Sequence, residues 1–365
     1  MAISIISNPA RLGLSFNKLG WLVESSLANS ITCRLLMESS FNAGDFTTVY
    51  TETKPIDNNS QAVFDFADII SAELSFQVPD PTVSTLTQAS TMARNYSIEA
   101  SDNQVTFTPS VARTAIKGAW PFLRYEHGKS LTTERKYLSI KNQSDRIYYP
   151  GQYEWIWLVN DSDVAITLEL TITYTDGSTS QSNQAIGNAQ SYRPFSVPIH
   201  QAFDSLLDNS KTAQSLEVKI MDHTFTYQIS YEHYPFIKEI YFVNSLGGID
   251  SLIMYGRGQR TDQGSSGISQ RYLDYNYSTR LGQNIRHNVV VNTSYKVSIG
   301  YRSEKERDAA RDIFYARQAW IREGANLVPI IIQNPRTREE REGEFRYTFE
   351  LDYSYAFENH SPVWQ

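Results

Sequence analysis

From Phe345 to Phe357 apolar and polar residues alternate without a break. Phe345, Tyr347, Phe349, Leu351, Tyr353, Tyr355 and Phe357 interleave with Arg346, Thr348, Glu350, Asp352, Ser354 and Ala356. A period of two places the two sets on opposite faces of a pleated strand, so a long antiparallel strand with one packed and one wet face is predicted here. The same design recurs along the chain, and no catalytic or metal-binding constellation interrupts it. The sequence argues for a building part before it argues for an enzyme, and no cofactor or metal is expected.

At 365 residues the chain has room for two or three domains, each burying its own core. A hydrophobic content of 41%, with 13% aromatic, excludes a disordered chain. The 33 basic and 40 acidic residues are spread along the whole length, which argues against a nucleic-acid footprint. The start, Met1 to Ile6, has no positive region, and Ser7, Asn8 and Pro9 break its apolar run, so no signal peptide is expected. No window reaches 18 apolar residues, so no transmembrane helix is expected either, and folding in a cytoplasm follows. Cys33, the single cysteine, shares a strand face with Ile31 and Leu35 and reads as a buried, inert thiol.

The fold class read from these patterns is mainly β: tandem β-sandwich domains, the C-terminal one carrying a single long packed helix. Three domains are expected, over 1–80, 82–233 and 234–365. In the first, strands are predicted at Ile3 to Ile6, Ile31 to Met37, Phe46 to Thr53 and Ala62 to Phe66, with a helical turn in Asp68 to Leu74. Val78-Pro-Asp-Pro81 then breaks regular structure. In the second, Val164 to Tyr174 alternates strictly and runs into Asp176-Gly177, a hairpin signal. A second hairpin turns at Asp222-His223, and Gln201 to Asn209 reads as a short helix. Many short strands without long intervening helices favour sandwiches over a parallel α/β sheet. In the third, Ser303 with Glu306 forms a capping box, and Ala309, Ile313, Ala316 and Trp320 fall on one stripe before Gly324, predicting a helix over about 303–323. Asn334 to Gly343 is expected to be a hairpin loop.

Six scattered histidines offer no pair at metal-ligand spacing. Asn244-Ser-Leu-Gly-Gly-Ile-Asp250 has adjacent glycines after a strand but lacks the order of a dinucleotide loop and the lysine of a phosphate loop. A tight turn whose backbone is bonded by Asn244 and Asp250 is the favoured reading over ligand binding. Pro335 to Arg346 balances four arginines with four glutamates, and is either a solvated hairpin tip or an electrostatic docking arm; Arg336, Arg338 and Arg341 are its candidate interface residues. Arg257 to Gly267 is polar and glycine-rich, a mobile loop or one that orders on assembly, and contributes Arg257 and Arg260. Tyrosines cluster at Tyr148-Tyr149, around Tyr153 with Trp155 and Trp157, and at Tyr272, Tyr275 and Tyr277. Such rings fill cores, stack on sugars or form interfaces. Tyr272, Tyr275 and Tyr277 are the candidates for an exposed platform.

The third segment also resembles a known family. A strand ending in Phe242-Val-Asn244, the turn to Asp250, Tyr255-Gly256, Tyr295-Lys-Val-Ser-Ile-Gly300, Trp320-Ile321, Leu327 to Ile332 and the alternating Tyr347 to Phe357 follow in order. Asn8-Pro9 and Ala62-Val-Phe-Asp-Phe-Ala-Asp-Ile-Ile70 extend the likeness to the N-terminal part. The pattern resembles virion structural proteins, in tail, tail hub or baseplate, of tailed phages infecting Bacteroidota, crAss-like phages included. The resemblance implies a non-enzymatic, multi-copy hub or adaptor. It would contact copies of itself in a ring, other tail or portal-proximal proteins, and fibres, without nucleic-acid recognition or membrane insertion. It would assemble in the host cytoplasm and reside in the virion tail, with loops 257–267 and 334–343 ordering against neighbours. A glycan- or receptor-binding β-sandwich module is the alternative from another class.

Overall fold

A computed structural model describes residues 3–26, 29–120, 127–144, 146–232, 237–256, 258–276, 278, 280, 282–302, 310–340 and 346–357. The described chain is mainly β, with three short α-helices at Ala67–Ala72, Leu131–Glu134 and Ile199–Leu206. It divides into two compact units. One is Met1–Glu232 with Val243–Asp250; the other is His233–Phe242 with Ser251–Gln365. The boundary expected near residue 80 falls inside the first unit, because one sheet takes strands from both sides of it.

That sheet has six strands. Leu12–Leu14, Arg113–Ile116, Ala93–Ser101, Ser30–Glu38 and Phe46–Pro55 follow in spatial order, and Thr108–Pro109 adds to Ala93–Ser101. It faces a three-stranded sheet of Ile3–Ser7, Gly20–Ser25 and Gln61–Asp65. Alternation decides what lies between: Ile31, Cys33, Leu35 and Met37 from one sheet meet Trp21, Val23 and Phe64 from the other in a single buried cluster. Trp21 stands edge-on to Tyr96, ring centres 5.5 Å apart, which suits the quadrupoles of both rings.

A second sandwich completes this unit. Arg146–Tyr148, His223–Ile229, Ala213–Ile220, Val164–Tyr174 and Thr179–Ala189 form a five-stranded sheet, opposed by Trp155–Leu158, Phe195–Pro198 and Thr87–Gln88. Ile166, Leu168, Leu170, Ile172 and Tyr174 point into its core with Phe195, Val197, Phe203 and Phe225. The predicted hairpin turns at Asp176-Gly177, with Gly177 at φ +81°.

The second unit holds a single seven-stranded sheet instead of a sandwich. Its order is Ile249–Met254, Lys238–Val243, Ala319–Glu323, Asn326–Glu340, Arg346–Tyr355, Asn284–Arg302 and Gln259–Gln270. The two end strands follow one another in the chain, and between them the Gly256 N–H donates to the Ser298 carbonyl at 2.8 Å. The sheet thus curls until its ends meet. Ile240, Phe242, Met254, Val297, Ile321, Phe349, Leu351 and Tyr353 fill the interior as one cluster. Phe349, Leu351 and Tyr353 are the inward residues that the terminal alternation predicts, whereas Phe357, past the end of the strand, is exposed.

Three sequence expectations change here. The predicted helix gives way: 303–309 lie outside the described residues, Arg311–Tyr315 is a 3₁₀ turn, and Ala319–Glu323 is a strand. From Ala319 the apolar spacing is two, and Ile321 pairs with Ile240 on one side and Val328 on the other, so both sides of its main chain are engaged. Gly324, at φ +64°, opens a two-residue hairpin turn and does not cap a helix. The loop expected at 334–343 is strand as far as Glu340; Pro335 sits where the register shifts, so its missing N–H breaks no ladder bond. The loop expected at 257–267 is strand from Gln259 onward.

Cys33 is fully buried, and burial, with Glu52 adding to it, pushes its thiol up to about 12. The native chain should therefore resist thiol reagents at pH 8 and react stoichiometrically once unfolded in denaturant; rapid native labelling would show that this sandwich opens.

Candidate functional site

The glycine turn is a structural joint. The Asn244 N–H donates to Gly248 O and the Gly247 N–H to Asn244 O, at 2.8 and 3.0 Å. The Asn244 amide reaches the Leu138 carbonyl and Asp250 Oδ2, each at 2.8 Å, and Ser139 Oγ donates to Asp250 Oδ1 at 2.7 Å. Asn244, Asp250 and Ser139 are all buried. A Cβ on Gly247 would lie 2.0 Å from Lys117 O, and one on Gly248 would lie 2.1 Å from Leu138 O. Main chain therefore fills the space that a phosphate would need.

Beside it lies a buried charged group that composition and spacing gave no means of finding. The Arg146 guanidinium donates from Nε to Asn142 O at 2.7 Å and stands 3.6 Å from Glu154 Oε1, while Tyr227 Oη donates to the same Glu154 oxygen at 3.4 Å. Burial works against the charge on Arg146, but Tyr227, Glu154 and Asp250 more than offset it and hold its pKa above the ordinary value. Burial likewise pushes the Tyr227 phenol upward. Removing one partner of such a pair leaves an uncompensated buried charge, costing about 3–5 kcal/mol. His200 completes the cluster: its Nδ1 lies 3.2 Å from the Glu154 nitrogen and 3.1 Å from the Glu154 carbonyl oxygen, and its Nε2 lies 2.9 Å from the Pro81 carbonyl oxygen. These polar groups are spent on one another. Tyr148, Tyr149, Trp155 and Trp157 are buried as well, which makes them core and not a sugar platform.

The described candidate interface residues lie on the second unit. Gln259–Gln270 pairs with Asn284–Lys296, but only from Tyr295 onward does that second strand also pair with Arg346–Tyr355. From Asn284 to Ser294, among the described residues, the two strands are therefore a ribbon of their own. Ile268, Ile285, Val289 and Val291 are exposed along it. Tyr272 and Tyr275, in the segment joining the strands, are 93% and 97% exposed. Arg260 lies at the base: it stands 3.2 Å from Asp262 Oδ1, which also accepts from Thr293 Oγ1 at 2.7 Å, and it covers the Tyr295 ring. The Thr293 hydrogen bond, helped by Arg260, holds the Asp262 carboxyl below its usual range.

Arg336 is exposed on the other hairpin, opposite Glu350, and Arg338 lies two residues further along that strand. Arg257, Tyr277 and Arg341 lie outside the described residues. The described candidates, Arg260, Tyr272, Tyr275, Arg336 and Arg338, are thus divided between two hairpins of one unit. Among the described residues no group of three or more His, Cys, Asp or Glu side chains is placed to hold a metal ion, and no helix is long and apolar enough to cross a membrane. No family model matches the chain, and no curated protein matches it.

The joint at Gly247 should be intolerant of any side chain. Gly247→Ala combines positive φ with a main-chain clash and should lose about 3 kcal/mol or more in denaturant melts, whereas Gly177→Ala, at positive φ in open space, should lose about 1 kcal/mol. Equal losses would show that the turn is not held as described.

Proposed function

We propose that this chain is a non-enzymatic structural subunit of a phage tail, a hub, adaptor or baseplate component, that assembles in several copies and connects to neighbouring tail proteins or fibres. The observation that carries the reading is the ribbon Gln259–Gln270 with Asn284–Ser294. A two-stranded hairpin standing by itself is marginal in water, and this one exposes four aliphatic side chains and two nearly bare tyrosines. Docking against a partner would bury them. The sandwich cores supply rigid bodies, and buried titratable groups around Arg146 and Glu154 are paired with one another.

The partners proposed are other copies of the chain, portal-proximal or other tail proteins, and fibres, in a virion assembled in the host cytoplasm. Each contact would bury on the order of 1,600 Å². The exposure of Tyr272 and Tyr275 also favours a second reading, glycan or receptor binding through that pair.

Light scattering with negative-stain imaging separates the two. The proposal expects a closed ring or a concentration-dependent oligomer. A monomer at every concentration that binds a glycan array, and loses that binding in Tyr272→Ala and Tyr275→Ala, would favour the second reading instead.

A further inference from the structure

A sheet edge carries a row of main-chain donors and acceptors ready to accept another strand, and natural sheets blunt their edges by shortness, charge, proline or cover. Most edges of this chain follow that rule. The end strands Leu12–Leu14, Arg146–Tyr148, Trp155–Leu158 and Thr87–Gln88 have two to four residues. The edge of Gln61–Asp65 is touched by the Lys54 ammonium, which donates to the Val63 carbonyl at 3.1 Å. Phe46–Pro55 is long, but it carries Glu52, Lys54 and Pro55.

Two long edges break the rule. Thr179–Ala189 ends the five-stranded sheet with eleven residues that include no charge and no proline. The Leu86 N–H reaches Ile186 O and the Gln88 amide reaches Asn188 O, but among the described residues no main-chain partner meets the outer side of Thr179–Ala185. Gln259–Gln270 ends the rolled sheet, and its stretch Gln263–Gln270 is likewise without charge or proline. The two open stretches are of similar length, seven and eight residues, and similar composition, built from Ser, Gln, Gly, Asn and Thr with one Ala and one Ile. They lie on different units, and the units differ in charge. The first has 25 acidic and 16 basic residues, net −9, and the second has 15 acidic and 17 basic, net +2. Within the ribbon, Arg260, Arg271, Arg280 and Arg286 outnumber Asp262 and Asp274.

We infer that Gln263–Gln270 of one copy adds as a strand to Thr179–Ala185 of a second copy. The inference rests on the assembly reading above and names its contact. Main-chain bonds supply the pairing, and the charge difference between units brings the basic ribbon to an acidic body and not to another ribbon. Donor and acceptor sit on different units, so the contact is heterologous: each copy donates once and accepts once, which leads to a ring or a filament.

The test uses the full chain. Gln181→Lys with Asn183→Lys places lysines on the acceptor edge, and Ile268→Lys places one on the donor edge; all three positions are exposed, so the variants should keep the wild-type melting temperature. In light scattering the wild type should assemble, each variant alone should stay monomeric, and an equimolar mixture of the two should give a 1:1 dimer and stop there. Thr51→Lys, on the already charged edge, should assemble as the wild type does. Assembly of either edge variant alone, or a mixture that stays monomeric while the wild type assembles, would overturn the pairing and leave the assembly reading standing. A wild type that is monomeric throughout would overturn both.

Discussion

Every main-chain N–H and C=O in a sheet needs a partner, and in a chain made almost entirely of strands this requirement shapes each level of structure. Sheets stacked face to face settle the apolar sides but leave the ends. In the sandwiches most ends are short strands, or are touched by a side chain such as Lys54. In the second unit the sheet curls until Gly256 meets Ser298. Among the described residues, the longest stretches that these devices leave open are Thr179–Ala185 and Gln263–Gln270.

Polar groups buried between strands face the same requirement and meet it locally. Asn244, Asp250 and Ser139 bond one another around a turn so close to neighbouring main chain that only glycine fits at 247 and 248. Arg146, Glu154 and Tyr227 form a second closed group, fixed by carbonyls of Asn142 and Lys141. A buried charge of this kind contributes little net stability against an apolar replacement, but it penalises any packing that separates the partners. These titratable side chains are buried and bonded to one another.

Strand alternation was legible wherever one face is buried and the other wet, as in Ile31 to Met37, Val164 to Tyr174 and Phe349 to Tyr353. The tight turn at Gly247 was legible too, because positive φ at a glycine is local, but the side chains expected to bond its backbone, Asn244 and Asp250, instead bond each other, Leu138 and Ser139. The helix over 303–323 was not, since a stripe of four apolar residues fits helix and strand alike until the partners of Ile321 are known. The polar segments 259–267 and 334–340 read as loops because sequence patterns detect the alternation that burial imposes, and neither segment carries it. The Arg146 cluster and the adjoining Ser139–Asp250 pair join residues as many as 119 positions apart, as between Pro81 and His200, a separation that no motif spans. Of the candidate interface, Arg260, Tyr272 and Tyr275 share one ribbon and Arg336 stands on the neighbouring hairpin, a division invisible before the register was fixed.

Two stretches of backbone have outer hydrogen-bonding groups that the proposed pairing would move from water to protein. Hydrogen–deuterium exchange on the full chain reads those groups directly. Amides of Gln181–Ala185 and Gly264–Ser269 that face outward should exchange freely in dilute monomer and slow by about tenfold or more when the chain is concentrated into its oligomer. Unchanged exchange in both stretches, in a sample shown to be assembled, would contradict the account and place the contact elsewhere.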